Sequence, residues 1–121
     1  MFRVIIAGCR DYTDYKTLKE FADLMLSNTK EEIQIVSGGA SGADALGERY
    51  AQEKGYSLIR FPADWNKYGR SAGPKRNKQM AQYADALIAF WDGKSKGTQN
   101  MIDEARAVGI RVRIKQYTRN G

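Results

Sequence analysis

The chain has 121 residues, 28% of them charged and 42% hydrophobic, with 20 Lys and Arg against 14 Asp and Glu, one Cys and no His. That length can bury a core within one domain, and the composition is that of a globular chain. An internal disulfide, a Cys/His zinc site and a histidine-based triad are excluded, and the net charge of +6 favours anionic partners without choosing between a phosphorylated small molecule and a polynucleotide.

Residues 1–7 enter an apolar run that stops at Gly8, too short for a signal peptide or a membrane span, so a cytoplasmic protein with no membrane partner is expected. Within it, residues 4–7 read as a strand buried on both faces, broken at Gly8-Cys9-Arg10-Asp11-Tyr12. A helix follows, capped by Thr13 or Asp14, with Leu18, Phe21, Ala22 and Met25 as its buried face. Residues 33–36 form a second strand that runs into Ser37-Gly38-Gly39-Ala40-Ser41-Gly42-Ala43-Asp44 and a helix with Ala43, Leu46, Tyr50 and Ala51 on one face. A strand that ends in glycines and opens a helix gathers bare backbone N–H groups and the positive end of the helix dipole at one spot, which suits a phosphate. The plain alternative is a tight turn that needs glycine for its geometry, with Ser41 or Asp44 as a cap.

The second helix ends at Lys54-Gly55, and residues 56–61 alternate as a third strand closed by Pro62. The stretch 63–73 has no period and reads as a long surface loop, in which Trp65 and Tyr68 are packing residues first and base-stacking residues second. Pro74 suits the first position of a helix running through Arg76, Asn77, Met80 and Tyr83. Residues 86–90 are a second wholly apolar strand, and its exit, 91–98, is another glycine-rich loop, opening a helix with Met101, Ile102, Ala105 and Val108 inward. Gly109 ends that helix, 110–114 alternate as a last strand, and 115–121 read as a frayed tail. The basic stretches at 67–78 and 111–119 read as solvated surface.

Five strands alternating with about four helices call for an α/β fold with a parallel sheet and right-handed crossovers. Strands one and four, apolar throughout, take the centre and the alternating strands three and five the edges, which gives the order 3-2-1-4-5. The direction of winding reverses between strands one and four, where open α/β sheets bind ligands beyond the carboxyl ends. The candidate ligand residues are therefore Gly8, Cys9, Arg10 and Asp11 after strand one, and Ser37, Gly38, Gly39, Ala40, Ser41, Gly42 and Asp44 after strand two. Arg76 and Asn77 come from the helix before strand four, and Asp92, Gly93, Lys94, Gly97 and Thr98 from the loop after it. Arg10 and Arg76 offer guanidinium forks that match phosphate oxygens. Asp11 and Asp44 suit ribose hydroxyls or a base amine, Asn77 orients a ligand or caps locally, and Gly93, Gly97 and Thr98 form a second anion cradle beside Lys94 and Lys96. Cys9 has no histidine to activate it as a nucleophile. No acidic cluster argues for a metal, and no cofactor is expected.

The turn at 36–44 is similar to the glycine-rich turn of the DNA-processing protein A family. The stretch with Arg76-Asn77-Lys78, the strand 86–90 and Gly97-Thr98 resembles the second half of that family and of the lonely-guy cytokinin-activating, lysine-decarboxylase-like enzymes. With Ala7-Gly8-Cys9-Arg10-Asp11, nearly the whole chain resembles the SLOG superfamily, specifically its YspA-related group. The resemblance implies one Rossmann-like three-layer domain over 1–121 that binds a nucleotide or nucleotide-derived molecule, as a sensor or sequestering domain in signalling or phage–host conflict, and that forms a homo-oligomer. The superfamily's hydrolases cleave the N-glycosidic bond of nucleoside monophosphates with an arginine matched by Arg76 and a glutamate in Gly-Thr-x-Glu-Glu. Here Gln99-Asn100-Met101 follow Gly97-Thr98, so that activity would need Asp11, Asp44 or Asp92 in the glutamate's place. Binding of single-stranded nucleic acid is the third reading.

Overall fold

The computed structural model describes residues 1–118. The strands are β1 (Phe2–Gly8), β2 (Ile33–Ser37), β3 (Ser57–Arg60), β4 (Ala86–Trp91) and β5 (Arg111–Gln116). All pair in parallel in the order β3-β2-β1-β4-β5, as the burial pattern requires. The helices are α1 (Tyr15–Leu26), α2 (Ala43–Lys54), a single-turn α3 (Trp65–Tyr68), α4 (Ala72–Tyr83) and α5 (Lys96–Val108).

Alternation along the central strands sends successive side chains to opposite faces. Val4 and Ile6 of β1 meet Leu18, Ala22 and Leu26 of α1 and Tyr50 of α2. Ile5 and Ala7 meet Met80 and Ala81 of α4 and Met101, Ile102 and Ala105 of α5 on the other side. Each fully buried aliphatic side chain in these layers stabilises by roughly 1.5–3 kcal/mol, more than an exposed ion pair such as Lys19–Glu53, so the core and not surface charge fixes the sheet. β5 carries exposed residues on alternate positions from Arg111 to Lys115, and β3 is exposed at Ser57 and Arg60 with Leu58 and Ile59 half-buried between them, so neither edge is buried like the centre.

Asp14 caps α1, its Oδ1 accepting from the Thr17 N–H at 3.1 Å, and Gly55 closes α2 in the left-handed conformation. Four local expectations need correction. The stretch 63–73 is not an irregular loop: α3, capped by Asp64, is followed by a 3-10 turn (Gly69–Ser71) and the first two residues of α4. A helix of one turn is too short to show a period in sequence. Pro74 is the third residue of α4 rather than the first, in a turn whose N–H groups have no intrahelical partner to lose. Val108 is 44% exposed instead of inward, in the last turn before the chain leaves through Gly109 for the edge strand. Lys115 and Gln116 belong to β5 rather than to a frayed tail. Tyr117 continues the order, its N–H donating to the Trp91 carbonyl and its ring lying 4.7 Å from that of Tyr12. The rest of the expected tail, 119–121, lies outside the described residues.

Candidate functional site

β1, β2 and β4 end at the same rim, and the loops leaving them are tied together by their backbones. The Cys9 carbonyl accepts from the Ala43 N–H at 3.1 Å, and the Ser41 hydroxyl donates to the Arg10 carbonyl at 3.1 Å. Gly42 sits at this seam with φ +73°. A Cβ there would lie 2.3 Å from the Cys9 oxygen and 2.4 Å from that of Arg10, so only glycine lets the two loops meet.

The β2 turn is less open to an anion than its sequence implies. The Gly39 N–H donates to Ser37 Oγ at 3.0 Å, the Ala40 N–H to Asp44 Oδ2 at 3.2 Å, and the Ala43 N–H to Cys9. Three amides expected to stand bare are thus spent on holding the turn. Neither Ser41 nor Asp44 caps α2, whose N-cap Gly42 has no side-chain bond.

Positive charge reaches the rim from α4. Arg76 donates through Nη1 to the Gly38 carbonyl and through Nε to Asn77 Oδ1 at 3.0 Å. Asn77 is itself buried and donates to Asn100 Oδ1 at 2.8 Å, so it aims the guanidinium and links it to α5. Gly38 lies between opposite charges: a Cβ there would be 2.6 Å from Arg76 Nη1 and 2.8 Å from Asp44 Oδ2. Burial pushes the Asp44 carboxyl up to about 6, against the opposing pull of the Ala40 N–H and of Arg76. Burial likewise lowers the Arg76 pKa, with Asp44 opposing and Arg10 adding to the effect.

Around this centre lies a cleft of about 710 Å³. Its walls are Gly8, Cys9, Arg10 and Asp11 on the β1 side, with Ala40 and Asp44 from the β2 turn and the start of α2. Opposite are Trp65, Arg70, Arg76, Asn77 and Met80, and at the start of α5 Ser95, Lys96, Gly97, Thr98, Asn100 and Met101. A second pocket of about 400 Å³ opens beside it over Gly38, Gly39, Ser41, Arg60 and Pro62, sharing Arg10, Ala40, Trp65 and Arg76 with the first.

Five expected residues line neither space. Ser37 is fully buried, its hydroxyl donating to Glu48 Oε2 at 2.7 Å, and Gly42 is the loop seam. Asp92 turns inward on its own loop, its Oδ1 accepting from the N–H groups of Lys94 at 2.9 Å and Ser95 at 2.8 Å, and Gly93 packs against the Gln116 amide. The expected cradle around Gly93 and Lys94 therefore shrinks to Ser95, Lys96, Gly97 and Thr98. Ser95 caps α5 through the Thr98 N–H, and the buried Thr98 hydroxyl lies 3.3 Å from Ser95 Oγ and 3.9 Å from Cys9 Sγ.

Sequence reading did not single out Arg60, Arg70, Asn100 or the methionines Met80 and Met101. Arg60 was signalled by its place at the carboxyl end of β3, and Asn100 by its i+3 spacing from Gly97. The methionines carry the helical period of core residues, which they also are.

Comparison with known proteins bears on this geometry. The model of the YAcAr family, described as the YspA, cpYpsA-related SLOG family, matches residues 2–68. The chain is 35% identical over 118 residues to the Gene 61 protein of Mycobacterium phage D29, covering 93% of this chain and 94% of that protein. Among solved structures, DNA processing protein A from Streptococcus pneumoniae superposes with a TM-score of 0.71 at 19% identity, over 93% of this chain and 49% of that one, so this chain spans about half its length. The structural-genomics target TM1055 superposes with a TM-score of 0.67 at 20% identity, over 93% of this chain and 72% of that one. The two structures share the fold. No helix among the described residues is long and apolar enough to cross a membrane.

Proposed function

This chain belongs to the YspA, cpYpsA-related SLOG family, and from that premise we propose that it binds a nucleotide or nucleotide-derived molecule at the carboxyl ends of β1, β2 and β4, as a sensor or sequestering domain. The observation that carries the proposal is that Arg76 and Asp44 flank Gly38 and both line the cleft. A guanidinium aimed by a buried amide suits a phosphate, and the carboxylates of Asp11 and Asp44 suit ribose or base donors. The volume of about 710 Å³ is that of a site for a drug-sized ligand. A relative in a mycobacteriophage fits a role in phage–host conflict.

Binding without turnover is favoured over hydrolysis by what faces the cleft from α5. Asn100 and Met101, which stand at the two glutamate positions of the Gly-Thr-x-Glu-Glu pattern, both line it. Asp103 is turned away and accepts from Gln99 Nε2 at 2.9 Å. An amide and a thioether cannot stabilise a cationic sugar. The hydrolase reading remains as the alternative because Asp11 and Asp44 do line the cleft.

The test is incubation with nucleoside mono-, di- and triphosphates, nucleotide sugars and cyclic dinucleotides, following melting temperature and product together. A rise in melting temperature without product is expected, since a ligand that binds only the folded state stabilises it. Steady product formation would make the protein an enzyme. No response to any member, with salt-sensitive binding of single strands instead, would replace the reading with nucleic-acid binding.

A further inference from the structure

The two pockets differ in charge. The main cleft mixes the carboxylates of Asp11 and Asp44 with Arg10, Arg70, Arg76 and Lys96, whereas the 400 Å³ pocket is lined by three arginines, Arg10, Arg60 and Arg76, and by no carboxylate. Arg10 and Arg76 belong to both, so the spaces meet along a shared ridge, where the Arg10 guanidinium lies 5.7 Å from the Trp65 ring centre. Arg60 belongs to the second pocket alone of the two. Glu48 Oε1 holds it from the far side, accepting from Nε at 3.0 Å and Nη2 at 2.7 Å, which uses two of its five donors. The other Glu48 oxygen accepts from the Ser37 hydroxyl, so this guanidinium is set in place from the β2 turn and not left to wander.

On the nucleotide reading of the cleft, the shared arginines are the partners for a mononucleotide's phosphate. Whatever is attached beyond that phosphate meets a basic pocket. We propose that the second pocket is a subsite for a second phosphoryl group and that Arg60 sets a preference for nucleoside diphosphates and diphosphate conjugates over monophosphates. This rests on the nucleotide reading of the cleft and adds the ligand class to it. The competing account is that Arg60 only steadies the β2 turn through Glu48.

The experiment is calorimetric titration of the wild type, Arg60→Ala and Glu48→Gln with adenosine, guanosine, cytidine and uridine 5′-monophosphates and 5′-diphosphates, without divalent cations. The Arg60 side chain is 62% exposed, so its truncation leaves the core intact. For the base that binds, the diphosphate should bind about tenfold tighter than the monophosphate in the wild type, the ordinary worth of one charge-assisted contact. Arg60→Ala should bring that ratio close to one, and Glu48→Gln, which keeps one acceptor for Arg60, should lower it less than Arg60→Ala does. A ratio near one in the wild type would overturn the proposal, as would a ratio that survives Arg60→Ala. Monophosphate binding with no gain from the second phosphate defeats this inference alone. If no nucleotide binds, the reading of the cleft itself falls.

Discussion

The loops after β2 and β4 are alike in composition, each glycine- and serine-rich and each opening a long helix, yet they are held by different means. The loop after β4 is closed on itself: Asp92 takes the N–H groups of Lys94 and Ser95, Ser95 caps α5, and the Trp91 indole donates to the Ser95 carbonyl at 3.1 Å. The turn after β2 is held mostly by distant parts of the chain, Ala43 and Ser41 by the β1 loop and Gly38 by Arg76 of α4. A loop built from neighbours in sequence can absorb a change by itself. A turn that joins three elements passes the change on to all of them, and here those elements line the cleft.

The sharpest way to break this contrast is at Gly42. Its positive φ and its contact with two carbonyls make Gly42→Ala destabilising by about 3 kcal/mol or more in urea unfolding. A loss below about 1 kcal/mol would mean that the loops separate without cost and that the seam does not hold the site.

The charge within the β2 turn gives the next effect. The Asp44 pKa is raised from an ordinary 3.8 to about 6, so the folded state holds a proton that the unfolded state gives up. The associated stability is fully present below the unfolded value and is lost as pH rises through about 6. Relative to Asp44→Asn, the wild type should lose up to about 3 kcal/mol between pH 4 and pH 7. The readout is the slope of the difference, since removing the charge also leaves Arg76 without its opposite partner at every pH. Parallel stability curves for the two proteins would contradict the assigned burial.

The β4 loop should respond more mildly. Ser95→Ala removes the α5 cap and should cost about 1 kcal/mol, with no change in pH slope. Gly97→Ala is smaller still: a Cβ there meets nothing within 4 Å, and the residue lies in the first turn of α5, so thermal unfolding should shift upward by the equivalent of at most about 1 kcal/mol. A large loss at Gly97 would show that the two loops are equally constrained.

The sheet was legible in sequence because burial differs by position. The unbroken apolar runs at 4–7 and 86–90 suit central strands, and the alternating character of 56–61 and 110–114 suits edges, although in the structure β5 alternates in exposure and β3 does not. The convergence of the loops followed from topology alone. The internal wiring of the site did not. Whether an amide of the β2 turn faces outward or donates to Ser37 or Asp44 depends on side-chain conformations that no spacing encodes, and glycine-rich loops after β2 and β4 look equally like phosphate cradles. α3 and the 3-10 turn after it, which place Trp65 and Arg70 in the cleft wall, were hidden because single helical turns carry no period.

The proposed ligand site is a single cleft between three strand ends. The most direct test is the change in backbone amide NMR shifts on titrating whichever nucleotide of the panel raises the melting temperature most. The shifts should gather at residues 8–11, 38–44, 70–77 and 96–101, with residues 92–94 and the α1 face little changed. Shifts gathered along β5 or α1, with residues 38–44 and 76 undisturbed, would contradict it.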